Sequence, residues 1–184
     1  MKAADRPMKL DAHSRRSPEQ VAEVIADVLA GAGAELVASL PDGWIAPLIR
    51  YLDQDARFRH VPVNREESAV GLCSGAFFGG KPGVALMGAS GFLTCIYAIT
   101  KINYTYQIPL LFLITLRGAP GDEARYHVSN GLYLRAVIEA IDMPALYVER
   151  FDELPKIADA YRHCQVLARP YVIGLSRGVL KGSA

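Results

Sequence analysis

The chain has 184 residues, 51% hydrophobic and 21% charged, enough apolar sequence to bury the core of one domain, which excludes global disorder. A net charge of +1, from 20 Lys+Arg against 19 Asp+Glu, excludes the basic footprint of a nucleic-acid or anionic-membrane binder. The cysteines, Cys73, Cys95 and Cys164, form no CxxC pair, which argues against a zinc or disulfide framework and for the reduced thiols of a cytoplasmic protein.

Residues 1–17 read as a flexible polar arm without the apolar centre of a signal peptide. Ser17-Pro18-Glu19-Gln20 then opens a helix, with Ser17 as N-cap, Pro18 in the first helical position and Gln20 answering the cap. Val21, Val24, Ile25, Val28 and Leu29 recur at helical spacing, and Gly31 and Gly33 stop the run. A strand over 35–40 ends at Pro41-Asp42-Gly43. A helix over 44–52 and a strand over 58–63 follow. Residues 66–78 are a helix rich in small side chains, closed by Gly79-Gly80. A buried strand over 84–87 leads into Gly88-Ala89-Ser90-Gly91, read as a tight turn, and a helix over 92–103. The strand over 110–115 lies in the longest apolar run, 108–116, which holds Pro109 and Thr115 and is too short to span a bilayer. A glycine-rich polar loop over 117–130 precedes a helix over 132–141, a strand over 145–148, a helix over 152–167 and a last strand over 171–175. Apolar strands alternating with helices predict an α/β fold over residues 18–184: a doubly wound, mostly parallel six-stranded sheet with helices on both faces.

In such sheets ligands sit beyond the carboxyl ends of the strands. The loops there are 41–43, 64–66, 88–91 and 117–130. Glu66 and Glu67 open the small-residue helix, where the helix dipole favours a carboxylate. Ser68, Ala69, Gly71, Cys73, Ser74 and Gly75 after them let another backbone or a flat ligand come close. Such an acid either handles a proton or only complements the dipole. Asp42 either touches a ligand or caps the helix near Trp44. Ser90 and Gly91 either face an anion with their backbone NH groups or form a plain turn. Arg117 offers a fork of donors to an anion, or pins its loop to a carboxylate. His127 is a proton donor, an anion ligand or a polar surface residue. Tyr97, Tyr104 and Tyr106 read as packing or interface residues.

Four segments, in order and each after a predicted strand, carry a resemblance. They are Leu40-Pro41-Asp42-Gly43-Trp44; Asn64-Arg65-Glu66 with Gly75 nine residues on; Ser90-Gly91; and Arg117-Gly118-Ala119-Pro120-Gly121 with His127 and Gly131. Over roughly residues 18–180 the chain resembles the pyrimidine-binding domain of thiamine-diphosphate-dependent 2-oxoacid decarboxylases, nearest to their phosphonopyruvate and sulfopyruvate branch. Two departures stand out. Gly91-Phe92-Leu93-Thr94 replaces the family's Gly-Leu-Gly-Asn, and 122–126 lacks its acid-rich run.

The resemblance implies that Glu66 hydrogen-bonds the cofactor's aminopyrimidine ring and activates it, with His127 as a second catalytic group. It implies Pro41, Asp42, Ser90 and Gly91 as cofactor-binding residues, and Asp42, Arg117 and His127 as substrate-binding residues. The family's Gly-Asp-Gly…Asn segment, which holds the diphosphate and metal, is not found in this sequence. The resemblance therefore implies no metal ligand on this chain. It implies a separate beta subunit carrying Mg2+ and the diphosphate site, in an alpha2beta2 or larger assembly. The expected reaction converts phosphonopyruvate or sulfopyruvate to the aldehyde and carbon dioxide. Carboligation of the acetolactate-synthase type and a non-catalytic binding or regulatory module stand as alternatives. Neither nucleic acid nor membrane is an expected partner.

Overall fold

The computed structural model describes residues 15–183, so residues 1–14 of the expected N-terminal arm lie outside the described residues. Within the remainder of that arm, the Arg16 amide donates to the Gly182 carbonyl at 3.1 Å and the Arg16 guanidinium lies 3.6 Å over the Phe151 ring. Helix α1 (Pro18–Gly31) opens with a complete capping box, Ser17 and Gln20 each accepting from the other's backbone NH. Strand β1 (Leu36–Ser39), helix α2 (Ala46–Gln54), strand β2 (Arg59–Pro62), helix α3 (Glu66–Phe78), strand β3 (Gly83–Gly88) and helix α4 (Ala89–Thr94) follow. After α4 come a short helix α5 (Ile96–Ala98) and a π-helical stretch, Ile99–Tyr104. The chain ends with β4 (Leu110–Thr115), a 3-10 turn at Arg125–His127, α6 (Val128–Ala140), β5 (Ala145–Val148), α7 (Lys156–Leu167), β6 (Pro170–Leu175) and α8 (Arg177–Leu180).

All six strands are parallel, in the order β2-β1-β3-β4-β6-β5. Successive residues of the central strands point to opposite faces. Val84, Leu86, Leu111, Leu113, Ile173 and Leu175 join a core with α1, α2 and α7. Ala85, Met87, Phe112, Ile114 and Val172 join a second core with α3, α4 and α6. Both faces are thus sealed, as continuous apolar strands require. The strand order reverses between β1 and β3, a switch point at the carboxyl end of the sheet, and β6 inserts between β4 and β5.

Three local expectations are corrected. Ala89, Ser90 and Gly91 are not a turn; they form the first half of α4, which starts directly off β3. Ala89 and Gly91 are buried, and their small size lets the helix lie against the strand ends. The expected helix over 92–103 is interrupted at Cys95 and widens into the π-helical stretch, where the Thr100 hydroxyl donates to the Ile96 carbonyl at 2.9 Å. Helix α6 begins at Val128, inside the expected loop.

Candidate active site

Two carboxylates meet the first turn of α4, and each occupies space that a missing side chain leaves open. Glu66 is the first residue of α3 and follows an extended Arg65 at φ −148°, ψ 149°. Its side chain lies over Gly91, where an added Cβ would stand closer than 3.0 Å to Oε1, Cδ and Cγ. Among the described residues the half-buried Glu66 carboxylate has no hydrogen-bond or ion-pair partner. Glu67 differs. Its own backbone NH and Arg65, 3.4 Å away, hold its carboxyl below the usual range.

Asp42 follows β1 and lies against Gly88, where a Cβ would be 2.8 Å from Oδ2. Its Oδ1 accepts from the Trp44 amide at 2.9 Å and from Arg117 Nη2 at 2.6 Å. Asp42 thus closes the turn at Trp44 without capping α2, whose N-cap is Ile45 with no side-chain bond, and it is the carboxylate to which Arg117 is pinned. The pair is nearly dry, with side chains 9% exposed for Arg117 and 16% for Asp42. Arg117 stacks 3.6 Å over the Trp44 ring, and its buried Nε has no partner among the described residues.

The 117–130 loop is held from both ends. Gly118 has φ +76°, and a Cβ there would run into the His127 carbonyl. Gly131 in α6 crosses the Gly118 backbone so closely that its own Cβ would be 2.7 Å from the Gly118 carbonyl carbon. Asp122 accepts from the Gly118 amide at 3.0 Å and from His127 Nδ1 at 2.9 Å. Against the opposing effect of burial, the Gly118 and Ala124 amides and the His127 ring hold the Asp122 carboxyl down to about 2. With Nδ1 committed to Asp122, Nε2 of His127 is left without a partner among the described residues. Asn130, buried, donates to Ser90 Oγ at 2.9 Å and ties α6 to α4. Pro41 is exposed at the end of β1.

The expected site residues thus fall into two groups. Glu66 lies over Gly91, while Ser90 is tied to Asn130, which borders a cleft of the second group. Asp42, Arg117 and His127 make up that second group, gathered around Trp44, whose ring centroid is 6.3 Å from that of His127. Trp44 and Arg117 separate a cleft of about 460 Å3, which also touches Asn130 and Arg135, from one of about 330 Å3, which also touches His127. Glu66 lines neither. Sequence reasoning placed Trp44, Asp122 and Asn130 in the segments it singled out without giving them a role, and it missed Arg177. The rule that singled out the loops after four strands applies equally to the loop after the last strand, where Arg177 stands.

The three cysteines are buried, and burial pushes each thiol up to about 12. Among the described residues there is no cluster of His, Cys, Asp and Glu able to hold a metal ion, and no helix is long and apolar enough to cross a membrane.

A family model described as thiamine pyrophosphate enzyme, N-terminal TPP binding domain, matches residues 19–134. The chain is 30% identical over 135 residues to sulfopyruvate decarboxylase subunit alpha of Methanococcus maripaludis, covering 73% of this chain and 81% of that one. It is 28% identical over 142 residues to the protein of the same name from Methanocaldococcus jannaschii, covering 76% and 84%. With phosphonopyruvate decarboxylase of Streptomyces viridochromogenes it shares 31% identity over 159 residues, 83% of this chain but 39% of that longer one.

Proposed function

This chain belongs to the thiamine pyrophosphate enzymes through their N-terminal TPP binding domain, and on that premise we propose that it is the alpha subunit of a 2-oxoacid decarboxylase. The observation that carries the reading is the unpartnered Glu66 carboxylate lying over the bare face of Gly91. The carboxylate occupies the space that any side chain at position 91 would fill, and its unspent hydrogen-bonding capacity suits a ring nitrogen of a flat heteroaromatic group. When bound, thiamine diphosphate would supply a nucleophilic ring carbon and a cationic ring that accepts the electron pair released as a 2-oxoacid loses carbon dioxide. Glu66 holds a proton at a ring nitrogen of the aminopyrimidine. Pro41, Asp42, Ser90 and Gly91 border that end of the cofactor.

Arg117, fixed by Asp42 and Trp44, and His127, oriented by Asp122, border the substrate. His127 delivers the proton that replaces the departing carboxylate, so the products are an aldehyde and carbon dioxide. The relatives named sulfopyruvate and phosphonopyruvate decarboxylase support a short 2-oxoacid with a second, phosphonate or sulfonate anion as the substrate.

A separate beta subunit supplies the diphosphate site and Mg2+. The relatives named subunit alpha, of which this chain spans 81% and 84%, support that division of labour. So does the outer face of α3, where Gly71, Leu72, Gly75 and Phe78 are exposed on the helix that Glu66 begins. An alpha2beta2 assembly in the cytoplasm completes the reading. The test is to purify the tagged chain with whatever partner it brings and to measure carbon dioxide release from phosphonopyruvate and sulfopyruvate. Release by the wild type, reduced about 100-fold or more by Glu66→Gln, supports the proposal. Release unchanged within about two-fold by that exchange contradicts it.

A further inference from the structure

We propose that Arg177 is the specificity-determining residue that reads the substrate's distal phosphonate or sulfonate, against the face of Trp44. The inference rests on the decarboxylase reading for the identity of the anion. Its geometry stands apart from that reading.

The parallel pairing of β4 with β6 brings the residues after those two strands to a single indole. Arg117 lies 3.6 Å from the Trp44 ring centroid and Arg177 lies 5.7 Å from it. Two guanidinium groups beside one ring repel each other, and Asp42 neutralises only the first. Arg177 donates Nη1 to the Gly121 carbonyl at 2.7 Å and has no carboxylate partner among the described residues. The other charges on these clefts are mostly committed: Asp122 to His127, and Glu149 to Arg135. Glu123, the remaining carboxylate, is exposed at the rim of the smaller cleft. Of the three guanidinium groups on these clefts, Arg117 is paired with Asp42 and Arg135 with Glu149, while Arg177, which lines both clefts, has no carboxylate within ion-pair distance among the described residues.

Arg117 is poorly placed to be the reader, since it is buried, paired and stacked. Arg177 is exposed, with donors left over after its single backbone bond. A guanidinium fork matches a tetrahedral anion, and the carbonyl of Gly121 fixes its direction. The Gly121 tether and the Trp44 ring limit how far the fork swings, so less order is lost on binding. Position suits a distal group. Contacts link Asp42, Arg117, Trp44 and Arg177, whereas the proton-handling Glu66 lines neither of the clefts that Arg177 lines.

Trp44 is the only tryptophan of the chain, so its fluorescence reports the site directly. The full chain is titrated with phosphonoacetate, sulfoacetate, inorganic phosphate and, as the control without a second strong anion, acetate. The complex with its partner is assayed in parallel for KM and kcat on phosphonopyruvate, sulfopyruvate and pyruvate. Wild-type protein is expected to show a saturable Trp44 signal with phosphonoacetate and sulfoacetate but not with acetate. Arg177→Met weakens that binding about 10- to 100-fold and raises KM for the doubly anionic substrates by a similar factor relative to its effect on KM for pyruvate. Arg177→Lys recovers part of the loss, which a merely structural role would not require. Binding by Arg177→Met equal to wild type overturns the proposal. So does a phosphate signal that depends on Arg177 while the substrate KM does not, which would mark a site for free phosphate. If the complex decarboxylates no 2-oxoacid, the decarboxylase reading fails, and the fluorescence titration alone decides whether Arg177 reads the anion.

Discussion

Replacing Gly91 with Ala separates the proposed chemistry from the stability of the fold. The added Cβ would stand closer than 3.0 Å to Oε1, Cδ and Cγ of Glu66, with no backbone atom among the three nearest neighbours. Restoring an ordinary separation of about 3.5 Å moves the Glu66 carboxylate by more than about 1 Å. Gly91 lies within a helix and carries no positive φ, so Ala is tolerated there by the backbone. Exchanging Gly for Ala in a helix contributes about 0.5–1 kcal/mol, which offsets the cost of swinging a flexible side chain aside. Urea unfolding of the variant should therefore give a stability within about 1 kcal/mol of wild type. Activity should fall about 100-fold, since a misplacement of about 1 Å at a reacting group costs that much. The assays are carbon dioxide release by the assembled complex and unfolding of the chain alone. The reasoning is refuted if the variant keeps activity within about three-fold of wild type, or if activity falls only because stability falls by about 3 kcal/mol.

Other perturbations probe the loop and the core. Asp42→Ala leaves the buried Arg117 guanidinium without its counter-charge and should destabilise the chain by about 3 kcal/mol in urea unfolding, where a merely exposed pair would give under about 1 kcal/mol. Gly131→Ala drives a Cβ to 2.7 Å from the Gly118 carbonyl carbon, a backbone atom that cannot rotate away, and should lower stability by about 1–3 kcal/mol. The Asp122 carboxyl is held at about 2 in the folded chain against 3.8 ordinarily, so its contribution is present above about pH 4 and is lost as pH falls toward 2. The stability difference between wild type and Asp122→Asn, about 2 kcal/mol near neutrality, should therefore shrink over that window when unfolding is followed against pH. The three buried thiols, pushed up to about 12, should stay unmodified by a thiol reagent at pH 8 until the chain is unfolded.

Where apolar pattern and capping chemistry act locally, the sequence was legible to the residue. Strand β4 (Leu110–Thr115) and helix α3 (Glu66–Phe78) have the expected bounds, and both halves of the Ser17–Gln20 capping box form. What misled was glycine selected by tertiary contact. Gly88 and Gly91 read as turn residues, yet they make room for Asp42 and Glu66 at the end of a strand and the start of a helix. Gly131 stood outside the expected helix over 132–141, yet it lies within α6 where two backbones cross. The grouping of Trp44 with Arg117 and Arg177 was not legible, because strand order, and not spacing along the chain, brings residue 117 beside residue 177.

The central claim, that Glu66 is the proton-handling acid of a shared thiamine diphosphate site, is tested most directly by deuterium exchange at the reactive ring carbon of thiamine diphosphate bound to the assembled complex. The account predicts fast exchange in the wild type and exchange about 100-fold or more slower in Glu66→Gln, with the cofactor still bound. Exchange in Glu66→Gln within about two-fold of wild type would contradict it.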